Sequence, residues 1–149
     1  MPSVGIKARI HNRTRDQIYS TLCDFERYPE LSPAVRQVTI DLSEHGQMTS
    51  TWETNFREGI LRWQEQDFFD PAAGTIVFEQ TQGDVDHFSG KWEVSALNGG
   101  GLISFNAKFD MGIPALSNIL DPIAEQALRE NIVTIIKGLF GSDVEIIEE

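Results

Sequence analysis

The chain has 149 residues, of which 40% are hydrophobic and 23% are charged, and this length and composition fit one globular domain. Its formal charge of −11 at pH 7 disfavours anionic partners, so we expect neither nucleic acid nor a peripheral membrane surface to be bound. No apolar run approaches the ~18 residues of a membrane span, so none is expected. The N-terminus lacks the basic and apolar blocks of a secretory signal, which makes a cytoplasmic location the expectation.

The cysteine and histidine content limits which metal sites the chain could form. Cys23 is the only cysteine, which excludes an internal disulfide and a cysteine-based zinc cage. The three histidines (His11, His45 and His87) stand without ligand spacing. We therefore predict neither a metal nor another cofactor.

The first elements are a strand and two short helices. Val4, Ile6, Ala8 and Ile10 alternate with more polar residues, as in a strand with one buried face. A helix is predicted in the stretch TRDQIYSTLCDF, which begins at Thr14, a suitable N-cap. The following stretch, ERYPELSPAV, contains two prolines that forbid a continuous helix and favour a short second helical turn.

Six further strands follow, separated by turn signals. These signals are EHG (44–46), REG (57–59), DPAAG (70–74), QGD (82–84) and NGGG (98–101). Alternation predicts an inward face rich in aromatic side chains: Trp52, Phe56, Trp63, Phe78, Phe88, Trp92, Phe105 and Phe109. For any single aromatic residue, a place in a solid core is the more frequent outcome than a place in a cavity wall.

The fourth strand is the exception to this pattern. In ILRWQEQDFFD (60–70), Glu65 and Asp67 fall on the same side as Leu61, Trp63 and Phe69. In an apolar cavity, desolvation and mutual repulsion would raise the pKa of at least one acid and leave a protonated acid beside a charged base. The alternative is that the strand twists or bulges, so that both acids reach solvent or pair with basic side chains.

The last element is a long helix. Asp121 can cap it, Pro122 suits its first position and Gly141 follows its last turn. About eighteen residues at ~1.5 Å each give a rod of roughly 27 Å. Its predicted buried stripe is Ile123, Ala127, Leu128, Ile132, Ile135, Ile136 and Leu139. Residues 1–142 form the predicted domain, and the acidic residues 143–149 form a solvated tail.

This order predicts an α+β fold, in which a curved seven-stranded antiparallel sheet wraps around the C-terminal helix, with two short helices between the first and second strands. Four stretches resemble the START-like (SRPBCC) helix-grip superfamily of polyketide cyclases, coenzyme Q-binding proteins and plant Bet v 1 allergens. They are FERYPEL (25–31), FSGKW (88–92), FDM (109–111) and RENI (129–132).

Within the superfamily, the chain most resembles the aromatase/cyclases of aromatic polyketide biosynthesis. That resemblance implies a cavity between sheet and helix that takes a hydrophobic small molecule, such as a polyketide delivered by an acyl carrier protein, in a monomer or homodimer. The implied ligand-binding residues are Trp52, Thr54, Phe56, Trp63, Phe78, Gln80, Phe88, Trp92, Phe105, Met111, Ile123, Ala127 and Asn131. The chain departs from the family where those cyclases have a pocket arginine, matched here by Asp67, and a tyrosine, matched here by Val35.

Three functions stay open at this point. The first is a polyketide cyclase or dehydratase in which Glu65 and Asp67 transfer protons. The second is a non-catalytic carrier or chaperone of a quinone, lipid or polyene, for which the aromatic wall suffices. The third is a protein-interaction module that uses the acidic surface. His87 is expected to point outward, and Cys23 is expected to pack rather than react.

Overall fold

The structure is a computed structural model that describes residues 1–42 and 47–147. The predicted turn at 44–46, with His45, lies outside the described residues. Every strand pairing within the described part is antiparallel, and all strands belong to one sheet.

The N-terminal elements follow the prediction closely. Strand β1 (Ser3–His11) leads into helix α1 (Arg15–Cys23), a 3-10 turn (Phe25–Arg27) and helix α2 (Tyr28–Leu31). Thr14 caps α1: its hydroxyl accepts from the Gln17 backbone N–H, while the Gln17 side chain accepts from the Thr14 backbone N–H.

The sheet is built from consecutive hairpins. The strands after α2 are β2 (Val35–Leu42), β3 (Gln47–Phe56), β4 (Gly59–Asp70), β5 (Thr75–Gly83), β6 (His87–Leu97) and β7 (Gly100–Asp110). They pair in sequence order, and β7 then pairs with β1. Because side chains alternate across each strand, one face of this sheet collects the apolar residues that the sequence pattern assigned to it.

Within residues 1–42 and 47–147 the sheet has eight strands, so the prediction of seven is wrong. Residues Val144–Ile147 form β8, which pairs with β1, and Ile146 stands opposite Ala8. A 3-10 turn (Gly141–Asp143) connects this strand to the preceding helix. The acidic end is therefore not a solvated tail over these residues, because its apolar positions give it a partner at the open edge of β1.

Helix α3 (Ser117–Phe140) is longer than predicted and follows a 3-10 turn (Pro114–Leu116). Its start was predicted at Asp121, but Pro122 lies inside the helix, where it removes only the hydrogen bond toward Asn118. Its 24 residues span about 36 Å. None of the helices among the described residues has the length and apolar character to cross a bilayer.

The core lies between α3 and the inner face of the sheet. One stripe of α3 is buried there: Ala124, Ala127, Leu128, Ile132, Ile135, Ile136, Leu139 and Phe140. Among the described residues the buried polar side chains are few, namely Ser32, Ser50, Thr54, Glu65 and Asp67. Four of these five lie on β3 and β4, which marks that part of the sheet as unusual.

Candidate functional site

A small cavity lies between the inner face of the sheet and α3, with a volume of about 50 Å³. We call it the inner cavity. It is lined by Phe25, Tyr28, Trp52, Thr54, Leu61, Trp63, Glu65, Phe78, Phe88, Trp92, Phe105, Leu128, Asn131, Ile132 and Ile135. Its wall is therefore aromatic and aliphatic, and Glu65 is the one carboxylic acid in it.

A second and smaller space, the outer cavity, has a volume of about 20 Å³. It is lined by Phe56, Leu61, Val85, Phe88, Phe109, Met111, Ala124 and Leu128. Three residues, Leu61, Phe88 and Leu128, belong to the walls of both cavities. The two cavities therefore adjoin at these side chains.

Stacked rings fix the wall around the acid. Trp52 and Trp63 stand directly opposite each other on β3 and β4, and their rings are parallel within 3° with centroids 5.8 Å apart. Phe88 packs edge-on against Trp63 at 5.4 Å, and Trp92 packs edge-on against Phe105 at 4.6 Å. These contacts leave the aromatic side chains little freedom in the absence of a ligand.

Glu65 and Asp67 on β4 both point into the interior. Glu65 is 4% exposed and Asp67 is 0% exposed. The alternative that a twist or bulge turns them toward solvent or toward basic partners is therefore wrong. A bulge does exist here, since β5 has one extra residue, Thr81, opposite the step from Gln64 to Glu65, but the inward face of β4 continues through it.

Each acid accepts a hydrogen bond from a neighbouring side chain. The indole N–H of Trp63 donates to Glu65 Oε1 at 2.7 Å. The indole N–H of Trp52 donates to Ser50 Oγ at 2.8 Å, and the Ser50 hydroxyl donates to Asp67 Oδ2 at 2.5 Å. Because the Ser50 oxygen accepts from Trp52, its own proton is directed at Asp67, which favours a negative charge on Asp67.

Burial raises the pKa of both acids above the ordinary values. For Glu65, desolvation is the main cause and the hydrogen bond and negative charge of Asp67 add to it, so that its pKa is raised well above the normal range. For Asp67, desolvation also raises the pKa, but the hydrogen bonds from Glu65 and Ser50 oppose that rise. Because the two buried carboxyl groups lie on the same face of one strand and their pKa values are raised together, they titrate as a pair.

Glu65 and Asp67 differ in their access to the cavity. Glu65 lines the inner cavity, whereas Asp67 lies outside its wall, and Asp67 Oδ1 has no hydrogen-bond partner among the described residues. Only Glu65 can thus touch a molecule in the inner cavity.

Most of the residues predicted to bind a ligand lie on a cavity wall. The inner wall contains Trp52, Thr54, Trp63, Phe78, Phe88, Trp92, Phe105 and Asn131, and the outer wall contains Phe56, Met111 and Phe88. Their role in binding stays a prediction. Asn131 is already engaged, because its side-chain amide donates to the Asn55 carbonyl at 2.5 Å.

Three of the predicted ligand-binding residues lie elsewhere. Ile123 is 47% exposed, so its predicted burial is wrong, because the buried stripe of α3 begins at Ala124 and the neighbouring position 123 turns toward solvent. Ala127 is buried without lining either cavity. Gln80 stands opposite Glu65 and donates to the Val85 carbonyl at 2.9 Å, which ties it to the turn between β5 and β6.

The sequence prediction missed part of the inner wall. Leu61, Leu128, Ile132 and Ile135 were expected on apolar faces but were not assigned to the site, and Phe25 also lines the wall. Tyr28, which lines it as well, is 1% exposed, and its hydroxyl donates to the Leu22 carbonyl at 2.6 Å. That bond leaves its ring, not its hydroxyl, to contribute to the wall.

Two other candidates stay outside the site. Burial raises the pKa of Cys23 to about 11, so its thiol is protonated near neutral pH, which suits packing rather than nucleophilic attack. His87 pairs with Asp110 across the strands, and its ring contacts Ser89 at 3.0 Å. In the part of the chain that the structure describes, no three metal-ligating side chains cluster.

A curved antiparallel sheet that holds a long C-terminal helix, with an aromatic cavity between them, defines the chain as a helix-grip protein. The chain belongs to the family described as polyketide cyclase / dehydrase and lipid transport, whose model matches residues 12–134. A search of curated proteins gave no significant match.

Solved structures share this fold at low sequence identity. A protein from Thermus thermophilus is 21% identical with a TM-score of 0.85, covering 93% of this chain and 94% of that one. The Zhui aromatase/cyclase from a Streptomyces species is 17% identical with a TM-score of 0.80, covering 95% and 92%. A START superfamily protein from Mycobacterium smegmatis is 15% identical with a TM-score of 0.76, covering 94% and 97%. At these identities, the likeness establishes the fold.

Proposed function

We propose that this protein is a polyketide cyclase or dehydratase-like enzyme that binds a hydrophobic ketide between the sheet and α3. The observation that carries the proposal is the acid pair: Glu65 lines an aromatic cavity, Asp67 is buried on the same face of β4, and burial raises the pKa of both. Family membership and the fold shared with an aromatase/cyclase support the same substrate class.

A single carboxyl group facing the cavity is sufficient for dehydration. Glu65 would give its proton to the leaving hydroxyl of a β-hydroxy carbonyl compound, the C–O bond would break, and water would leave. The resulting carboxylate would take the α-proton as the C=C bond forms, which returns Glu65 to its starting state. The net change is loss of one water, without any oxidant or reductant.

The same group can serve a cyclisation. Ionised Glu65 would remove an α-proton, the enolate carbon would attack a second carbonyl carbon, and the new alkoxide would take the proton back from Glu65. The acyl chain would arrive on an acyl carrier protein, and the enzyme would work as a monomer or homodimer. Both of these last points come from the resemblance of the sequence to aromatase/cyclases.

The size of the cavity constrains the proposal. Sites for small molecules are usually about 300–1,000 Å³, whereas the inner cavity has about 50 Å³. Wall side chains must therefore move when a ketide enters. Leu61 is a partly buried wall residue that is not held by ring stacking, so it can move at lower cost than the stacked tryptophans.

The test is dehydration of a synthetic β-hydroxyacyl thioester, followed by the absorbance of the conjugated product. We expect Glu65→Gln to lower turnover by roughly 10²–10⁴-fold, because the amide cannot carry the proton. Glu79→Gln, on the exposed face of β5, makes the same substitution away from the cavity and should leave turnover unchanged. Full activity of Glu65→Gln would rule out the proposed chemistry.

Asp67→Asn separates the positioning role of Asp67 from simple structural support. Removal of the negative charge behind Glu65 should lower the pKa of Glu65, because the charge and hydrogen bond of Asp67 raise it. The pH–rate profile should therefore shift to lower pH. A variant that loses activity without a shift would indicate that Asp67 only maintains the fold.

A second function is a carrier of a quinone, lipid or polyene. The feature that favours it is the wall itself, in which every lining residue except Thr54, Glu65 and Asn131 is apolar or aromatic. Native mass spectrometry of freshly expressed protein would test this function. A bound molecule that is recovered chemically unchanged, with affinity insensitive to Glu65→Gln, would favour the carrier over the enzyme.

A further inference from the structure

The two cavities lie in line along the axis of α3. Ala124 lines the outer cavity, Leu128 lines both, and Ile132 and Ile135 line the inner one. These positions follow one face of the helix at steps of three or four residues. At ~1.5 Å per residue, the distance from Ala124 to Ile135 is about 16 Å.

Three strands give the same order independently. On β3, Phe56 lines the outer cavity and Thr54 the inner one; on β4, Leu61 is shared and Glu65 is inner. On β6, Phe88 is shared and Trp92 is inner. The outer cavity thus lies at the end of the sheet where β3 ends and where β4 and β6 begin, and the acid pair lies deeper.

We propose that a ligand enters through the outer cavity and that Leu61 and Leu128 form a constriction that decides which molecules reach Glu65. This inference rests on the ligand-binding part of the proposed function. Phe56 and Met111, both partly buried, mark the entrance. Phe88, the third shared residue, is held by ring contacts to Trp63 and Phe78 at 5.4 and 5.2 Å.

The two leucines are the movable part of the constriction. Neither side chain has polar atoms or stacking partners that hold it in place, and Leu61 is only partly buried. If both swing aside, the inner and outer cavities join into one channel that ends at Glu65. The width of that channel would then depend on the residues at 61 and 128, and its depth on the residue at 135.

The chain contains a reporter for arrival in the inner cavity. Its three tryptophans, Trp52, Trp63 and Trp92, all line that cavity. N-phenyl-1-naphthylamine, an uncharged apolar fluorophore, accepts energy from tryptophan at short range. Stopped-flow mixing of this probe with the protein therefore measures the rate at which it reaches the inner cavity.

We expect Leu61→Ala and Leu128→Ala to raise this rate by about tenfold, which corresponds to a barrier lower by ~1.4 kcal/mol. Leu61→Phe should slow arrival, and this variant keeps the site filled if an alanine variant fails to fold. Ile135→Ala is the matched control, because it enlarges only the inner cavity and should change the amplitude of energy transfer but not the rate.

If Ile135→Ala speeds arrival of the probe as much as the leucine variants do, or if Leu61→Phe leaves the arrival rate unchanged, the entrance lies elsewhere and the proposed constriction is wrong. Glu65→Gln separates this inference from the proposed chemistry, since it should abolish dehydration and leave the arrival rate of the probe unchanged. If the leucine variants behave as expected while Glu65→Gln retains full turnover, the constriction stands and the enzyme proposal fails.

Discussion

The two halves of the sheet bury different chemistry. The inward positions of β3 and β4 include four buried polar side chains, Ser50, Thr54, Glu65 and Asp67. The inward positions of β6 and β7 are apolar or aromatic, with Phe88, Trp92, Val94, Ile103, Phe105, Ala107 and Phe109 all buried. Residues of both halves line the inner cavity under α3, and α1 also packs against β6 and β7.

The two halves therefore contribute different properties to the site: one half gives the wall its shape and the other supplies its polar groups. The β6–β7 half supplies packed rings and hence a wall of fixed form, whereas the β3–β4 half places a carboxyl group against that wall. Polar groups in the β3–β4 half hydrogen-bond to one another, since Trp52, Ser50 and Asp67 form one chain and Trp63 bonds Glu65. That pairing is what lets two acids remain in an apolar interior.

The largest expected loss of stability comes from a substitution in the β6–β7 half. Trp92→Ala should lower the free energy of unfolding by about 3–5 kcal/mol, because a buried ring is lost and a cavity remains beside Phe105. Urea denaturation measures the change. Leu97→Ala, at the exposed end of the same strand, should stay within ~0.5 kcal/mol. Equal losses in the two variants would contradict the assignment of Trp92 to the fixed wall.

Substitutions in the β3–β4 half should lower stability because they remove hydrogen bonds. Ser50→Ala should lower the free energy of unfolding by about 1–3 kcal/mol, because the Trp52 indole and Asp67 Oδ2 both lose their partner while buried. Ser95→Ala, at an exposed position on β6, removes the same hydroxyl as a control. If both serine variants were equally stable, the chain from Trp52 to Asp67 would contribute nothing.

The pH dependence of stability tests the raised pKa values directly. Because folding raises the pKa of both acids, the folded state keeps a proton that the unfolded chain loses above about pH 4. Stability is therefore fullest below that pH and falls as pH rises toward the folded pKa, by up to ~1.4 kcal/mol per pH unit for one proton.

The double variant Glu65→Gln/Asp67→Asn lacks both acids, so it should not lose stability in this way as the pH rises. Comparison with it separates the effect of the two acids from that of the other titrating groups. The difference in free energy of unfolding between the double variant and the natural chain should grow in favour of the variant between pH 4 and neutral pH. Chemical denaturation across that range measures it. A difference that does not change with pH would mean that neither acid holds a raised pKa.

Much of the fold was accessible from the sequence. Period-two alternation located β1 and the six strands after α2, and the glycine-containing turn signals separated them. The inward direction of Glu65 and Asp67 followed from counting along β4, and both are buried as that count required. These features depend on neighbours in the chain, which is why a local pattern contains them.

The errors arose where a distant partner decides the outcome. Val144–Ile147 becomes a strand only because β1 offers an open edge, which the acidic composition of that segment conceals. The start of α3 at Ser117 places Pro122 inside the helix, against its usual position at a helix start. Ile123 was expected in the buried stripe but is 47% exposed.

The sequence by itself determined which side chains share each face of the sheet and that two acids lie among aromatic residues, because alternation along a strand is a property of the local backbone. The tertiary structure decided that Glu65 lines the inner cavity while Asp67 does not, that Asp67 accepts a hydrogen bond from Ser50, and that Leu61, Phe88 and Leu128 line both cavities. Those relations join residues from different strands and from α3, and the distances between them are set by packing across the sheet.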